Sequence, residues 1–342
     1  MKAWMLHGIV SLDKQPTFLM LQDVPDPEPG SQDILVQVSA CGICHTELDE
    51  IEGRTPPENL PMILGHEVVG QVVSLGTSVS RFQIGDRVGI GWIYSSCETC
   101  EYCRSGNDNL CPDFLATGRD RPGGYAEFMV IPENYAFPIP DVFQDEQAAP
   151  LLCAGAIGYR SLRLAGLKDG QRLGLTGFGA SGHLVLMLSQ YQYPNSDIYV
   201  FARSKKEQQF ARELGAVWAG DTMKRPPRLC HAIIDTTPVW KPVVEALHCL
   251  EPGGRLVINA IRKESIDQEY LLNLNYSEHL WMEKEIKSVA NVARQDIAQF
   301  LDIAAKIPIQ PEVQIYQFSS ANEALMDLKQ GRIRGAKVLK IP

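Results

Sequence analysis

Three stretches of this chain carry side chains suited to binding a metal ion or a phosphate. "CGICHTELDE", residues 41–50, sets Cys41 and Cys44 three apart, with His45 next and acidic residues beyond. Such a pair suits a redox dithiol, half of a zinc ribbon, or one metal ligand beside a core thiol. "CETCEYCRSGNDNLC" places Cys97, Cys100, Cys103 and Cys111 in C-x2-C-x2-C-x7-C order. Tight turns let the first three sulfurs converge, and the longer loop brings the fourth round to close a tetrahedron. Four thiolates with no open position predict a structural Zn2+; an iron–sulfur centre or free surface thiols are the competing readings. The cluster is complete without Cys41 and Cys44, and more than fifty residues separate the two groups, far beyond ribbon spacing.

The third stretch, "LGLTGFGASGHLVLMLSQ", has Gly177, Gly179 and Gly182 in G-x-G-x-x-G order between an apolar strand and a helix. This predicts a dinucleotide cradle over Gly177, Phe178, Gly179, Ala180, Ser181 and Gly182. Gly177 permits the tight turn, Gly179 a close approach of pyrophosphate, and Gly182 close helix–sheet packing. The helix start adds free N–H groups and partial positive charge. The following strand, "DIYVFARSKK", ends in Ala202, Arg203, Ser204 and Lys205, where an NAD-binding chain would carry a carboxylate for the ribose hydroxyls. Nothing there repels a 2′-phosphate, and Arg203 can fork onto one, so NADP(H) is expected over NAD(H).

The elements that must position these groups fall into two textures. Over residues 1–150, short β-branched runs ("DILVQVSA", "HEVVGQVVSLG", "GDRVGIGW", "YAEFMVIP") between Gly and Pro predict an irregular β-rich domain. Over residues 151–290, the strands "QRLGLTG", "DIYVFAR", "HAIIDT" and "RLVINA" alternate with helices such as "KKEQQFARELG". That alternation predicts an α/β fold with a doubly wound parallel sheet. Residues 291–342 return to an amphipathic helix, "QDIAQFLDIAAK", and a β-like end, "GAKVLKIP".

The 342 residues suit about two domains, and a net charge of −9 argues against a nucleic-acid or anionic-membrane surface. No run of eighteen apolar residues predicts a bilayer span, and the N-terminus lacks a secretory pattern, so a cytoplasmic location is expected. In that compartment nine cysteines point to metal rather than disulfides.

"CGICHTE", "GHE", the four-cysteine lobe, "GDRV", "LLCAG", the glycine turn and "GGRLVI", in this order, resemble the zinc-dependent medium-chain alcohol dehydrogenases over nearly the whole chain. The resemblance implies a GroES-like, barrel-like catalytic domain (1–150 and 291–342) beside a Rossmann domain (151–290). It implies two Zn2+ per chain. Cys44, His66 and Cys153 would hold the catalytic ion, with Glu67 a carboxylate beside it; Cys2His with an open position is a known catalytic arrangement for such enzymes. Thr46 would hydrogen-bond the alcohol oxygen, and His45 would lie near the cofactor pyrophosphate. Cys41 becomes a packed thiol. The substrate would be a small alcohol, aldehyde or ketone, and the assembly a homodimer or homotetramer. The chain departs from the family pattern at Glu47 and Asp49, where aspartate and the last histidine of a proton relay are usual, at Ile157 for threonine, and at Thr55 for a pocket tryptophan opposite Trp92. His7, His183, His231, His248 and His279 match no motif and read as structural. A polyol or other specialised dehydrogenase of the superfamily and a non-catalytic zinc and dinucleotide-binding regulator are the alternative readings.

Cys44→Ser is expected to abolish turnover and remove one zinc per chain, whereas Cys41→Ala keeps both; elemental analysis beside an activity assay decides it. An inactive Cys41→Ala protein with normal metal content would overturn the assignment.

Overall fold

The fold is that of a computed structural model describing residues 1–14, 17–307, 309–332 and 335–342. It divides into two compact units, Met1–Cys153 with Val292–Pro342, and Ala154–Asn291. The first boundary falls after Cys153 rather than after residue 150, which keeps Cys153 in the same unit as Cys44 and His66.

In the first unit a seven-stranded sheet is built around the Asp33–Ile43 strand. It pairs antiparallel with Val68–Leu75, with Phe128–Pro132 and with the C-terminal strand Ala336–Lys340. Along Asp33–Ser39 buried and more open residues alternate, as for a strand with one face in the core; Ala40–Ile43 is buried throughout. The strand thus runs from the sheet surface into the interior just before Cys44. Two bulges against Val68–Leu75 accompany that turn inward. Its core, which includes Val36, Val38, Val68, Val72 and Val88, is rich in the β-branched residues a pleated sheet packs well. Gly70 is obligatory here, because a Cβ would lie 2.2 Å from the Gln37 carbonyl oxygen.

The second unit is a six-stranded, all-parallel sheet in the order Trp218–Gly220, Asp197–Phe201, Arg172–Thr176, Cys230–Asp235, Leu250–Ile258, Glu285–Ser288. Numbered by sequence this is 3-2-1-4-5-6, the doubly wound order whose direction reverses beside the first strand. Arg172–Thr176 is that strand, buried at every residue, as expected for a strand covered on both faces. At the reversal, the Thr176 hydroxyl donates to Asp235 at 2.5 Å, and Lys263 pairs with the other oxygen of that buried carboxylate. Among the described residues no helix is long and apolar enough to cross a membrane.

Gly70→Ala must move either the Gln37 backbone or its own strand, and an overpacked interior of this kind costs about 1–3 kcal/mol. A lower midpoint of thermal unfolding, with the far-ultraviolet spectrum kept, is the expected result.

Candidate metal and dinucleotide sites

Cys44 directly follows the buried end of the Asp33–Ile43 strand and caps the short helix His45–Ile51. The Glu47 carboxylate positions two groups at once. One oxygen accepts from the Cys44 backbone N–H at 2.7 Å, and the other lies 2.6 Å from His66 Nδ1, off the hydrogen-bond axis. With Nδ1 facing a carboxylate, the imidazole is held with Nε2 toward Cys153, 3.3 Å from its Sγ. The Trp92 ring meets the His66 ring edge-on at 5.1 Å. One donor atom each from Cys44, His66, Glu67 and Cys153 falls within 4.8 Å of the others. His66, Glu67 and Cys153 are buried, and the Cys44 thiol is partly open.

The chemistry of this donor set fits a divalent ion. A hydrogen bond from Cys153 and the nearby His66 hold the Cys44 thiol well below its usual range. The same bond, with burial, pushes the Cys153 thiol up. Opposite shifts on two adjacent sulfurs mark a pair whose protons a bound ion would compete with. Glu67 is pushed above the carboxylate range by burial and by Cys44. Thr46 places its hydroxyl 3.6 Å from the Cys44 sulfur. His45 is exposed. Asp49 pairs with Arg54 at 2.6 Å. Cys41 stands outside the donor group: its sulfur packs against Gly65 and Gly124, and burial followed by the charge of Glu47 keeps the thiol protonated.

Three participants in this geometry escape a sequence reading. Glu47 stands where aspartate is usual, and only the fold shows that its extra methylene still reaches His66. At Gly42 a Cβ would lie 1.8 Å from a Glu67 carboxylate oxygen, so that glycine makes room for the carboxylate. Glu50 is fully buried with neither oxygen hydrogen-bonded. Burial, then the Glu47 charge, push Glu50 well above its usual range, with His66 and Arg119 opposing.

The second thiol cluster also converges. Cys111 and Cys97 sulfurs are 3.5 Å apart, Cys100 and Cys103 3.5 Å, and Cys97 and Cys103 3.9 Å. Backbone N–H groups of Cys97, Cys100 and Cys103 point at sulfurs of Cys111, Cys97 and Cys100. Such donors favour thiolates, and N–H groups of Thr99 and Cys100 lower Cys97 to about 6. The lobe is tied to the start of the Arg294–Lys306 helix: Arg294 pairs with Asp108 at 2.6 Å and Glu98 at 2.7 Å, and Gln295 donates to Gly106.

In the second unit the glycine turn follows the Arg172–Thr176 strand, at the reversal of the sheet order. Gly177 has φ +81°, a conformation few other residues adopt. A Cβ on Gly179 would meet nothing within 4 Å, so its outer side is open. Gly179 gives the helix Ala180–Gln192 no side-chain cap, which leaves the N–H groups over Ala180, Ser181 and Gly182 for a ligand. At Gly182 a Cβ would lie 2.8 Å from the Gly177 carbonyl oxygen, so the helix start approaches the backbone at the end of the Arg172–Thr176 strand closely there. Close packing between helices occurs at Gly158, against Val185. Arg203 is exposed and Lys205 lies at the start of its helix, while Ser204 is occupied in a capping box with Glu207.

The sequence profile of the alcohol dehydrogenase GroES-like domain matches residues 30–141. The chain is 41% identical to a Mycobacterium tuberculosis protein described as "Probable alcohol dehydrogenase AdhA", over 100% of this chain and 97% of that one. It is 32% identical to an alcohol dehydrogenase of Geobacillus stearothermophilus, covering 94% and 96%. Among solved structures, a cinnamyl alcohol dehydrogenase from Sorghum bicolor superposes with a TM-score of 0.86 at 26% identity, covering 99% of this chain and 97% of that one.

Glu50 carries a pH signature. With its folded pKa raised, its contribution is fully present below the unfolded value of about 4.3 and is lost as pH rises toward the folded value, by about 1.4 kcal/mol per pH unit. Glu50→Gln removes that slope, so denaturant unfolding should show the variant gaining on the parent between pH 5 and pH 8. A pH-independent difference would refute a buried neutral carboxyl.

Proposed function

The chain belongs to the zinc-dependent medium-chain alcohol dehydrogenase family, and we propose on that premise that it interconverts alcohols with aldehydes or ketones using NADP(H). The observation that carries this is the convergence of Cys44, His66, Glu67 and Cys153 in one buried donor group. In this reading Cys44, His66 and Cys153 hold a catalytic zinc with Glu67 beside it, and Cys97, Cys100, Cys103 and Cys111 hold a structural one. A zinc ion on two thiolates and an imidazole supplies Lewis acidity toward an alcohol or carbonyl oxygen.

The chain's own residues do the rest. Glu47 fixes the ring of His66 and the backbone of Cys44 together, so these two donors hold their relative geometry. Thr46, within reach of the same sulfur, donates to or accepts from the substrate oxygen and moves its proton away. Asp49 is already committed to Arg54, which leaves water and the cofactor ribose hydroxyls as the simpler exit for that proton. Trp92 bounds the site on the side of His66. The open backbone of Gly177–Gly182 receives the pyrophosphate, and Arg203, with Lys205, receives the 2′-phosphate.

A dimer formed through the Glu285–Ser288 strand is part of this proposal. That strand is one edge of the parallel sheet, all four of its residues are exposed, and Trp281 and Met282 stand exposed just before it.

A panel of alcohols and aldehydes followed at the nicotinamide absorbance with both cofactors tests the reaction; no turnover with any of them would overturn it. Arg203→Ala should weaken NADP(H) about 10–100-fold, the worth of a lost charge-assisted hydrogen bond, while leaving NAD(H) nearly unchanged. Equal losses for both cofactors would remove the 2′-phosphate role.

A further inference from the structure

The doubly wound unit holds a buried charge pair that neither the thiol clusters nor the glycine turn has used. Asp235 ends the strand Cys230–Asp235, in register with Thr176, the residue just before Gly177. Its carboxylate is fully buried, and the Lys263 side chain that pairs with it is 7% exposed. Lys263 comes from the segment that follows the Leu250–Ile258 strand.

Every polar atom of the pair is engaged. One Asp235 oxygen accepts from the Thr176 hydroxyl at 2.5 Å, the Thr237 hydroxyl at 2.8 Å and the Thr237 N–H at 3.3 Å. The other faces the Lys263 ammonium, which also donates to the carbonyl oxygens of Thr237 at 2.6 Å and Val239 at 3.2 Å. The ammonium thus uses its three protons inside the protein. The segment between these partners lies against the glycine turn. The Thr236 N–H and hydroxyl both donate to the Thr176 carbonyl oxygen, at 2.9 and 3.0 Å. A Cβ on Gly177 would meet the Thr236 hydroxyl at 2.7 Å and the Thr237 methyl at 3.1 Å.

We propose that Lys263 is a positioning residue for the dinucleotide, cancelling the Asp235 charge beside the glycine turn so that the turn stays attractive to a pyrophosphate. This rests on the dinucleotide reading of that turn. Ligands of doubly wound sheets bind outside the carboxyl ends of the strands at the reversal, which is where Thr176 and Asp235 stand. A buried carboxylate is poorly screened there and would oppose an arriving pyrophosphate. The helix start offers only about half an elementary positive charge, so one uncompensated carboxylate would outweigh it. Asp235 gathers the threonine donors that shape the strand ends, and Lys263 makes its charge tolerable. A buried ion pair is weak support for stability, since apolar side chains of similar size avoid its desolvation cost; that favours a part in the charge balance of the site.

Titration of the full chain with NADPH and NADH, followed by nicotinamide fluorescence, tests this on four proteins. Lys263→Met should weaken both cofactors equally, by about tenfold or more, because the pyrophosphate is common to them. Asp235→Asn leaves the ammonium uncompensated and should tighten both roughly two- to fivefold. The double variant carries no buried charge and should return to within about threefold of the parent. A merely structural pair gives another pattern: both single variants bind more weakly and the double is no better. That pattern, or Lys263→Met binding like the parent, would overturn the proposal. Circular dichroism verifies folding; if Lys263→Met does not fold, the sign of the Asp235→Asn change decides. A parent that binds neither dinucleotide overturns the cofactor reading itself and this inference with it, whereas a binding parent with the structural pattern removes this inference alone.

Discussion

Two thiols, an imidazole and three carboxylates share one corner of the first unit, almost all of them out of water. Cys44, Cys153, Glu47, Glu50 and Glu67 together form a concentration of acidic groups around His66 that an apolar interior would not tolerate without compensating positive charge. The protein meets this constraint in part by itself. Glu47 faces His66, the Cys153 sulfur hydrogen-bonds the Cys44 thiol and holds it low, and burial pushes the Glu50 carboxyl well up. Those are compromises, and a divalent cation resolves most of them together. The rest of the unit can be understood as the means of holding acids close enough to bind one ion.

Backbone geometry does much of that holding. The central strand alternates while it serves the sheet and becomes wholly buried where it delivers Cys44. Gly42 and Gly65 then remove side-chain bulk beside Glu67, Tyr125 and Cys41, so ligand-bearing segments approach at distances a Cβ would forbid. Glu47 links helix cap and histidine, which makes the short helix after Cys44 a positioning device with little stability of its own. In the second unit the same economy appears at Gly177 and Gly179, one in a left-handed conformation and the other leaving its outer face bare.

Local spacing made the four-cysteine lobe, the glycine turn and the alternation of strands and helices legible in the amino-acid sequence, because each is written within fewer than about forty residues. The buried trio of Cys44, His66 and Cys153 is different. Nothing local joins them, and only an ordered set of short motifs and a family resemblance gathered them. Glu47 could be noticed as a departure, yet its double role depends on where a strand ends and a helix begins. Gly42, Glu50 and Arg294 left no signal at all: the first is a matter of interatomic space, the second of missing partners, the third of a contact spanning most of the chain.

The first unit is discontinuous, and its sheet holds Ala336–Lys340 in the middle, paired with Asp33–Ile43 on one side and Val313–Gln317 on the other. A ribosome therefore releases the contiguous second unit, Ala154–Asn291, while the first still lacks an interior strand and the Arg294 clasp on its cysteine lobe. On emergence the half-made sheet presents unpaired edges and the cysteine lobe without its clasp. Nascent chains would pass through an interval in which one half is finished and the other waits for its closing piece.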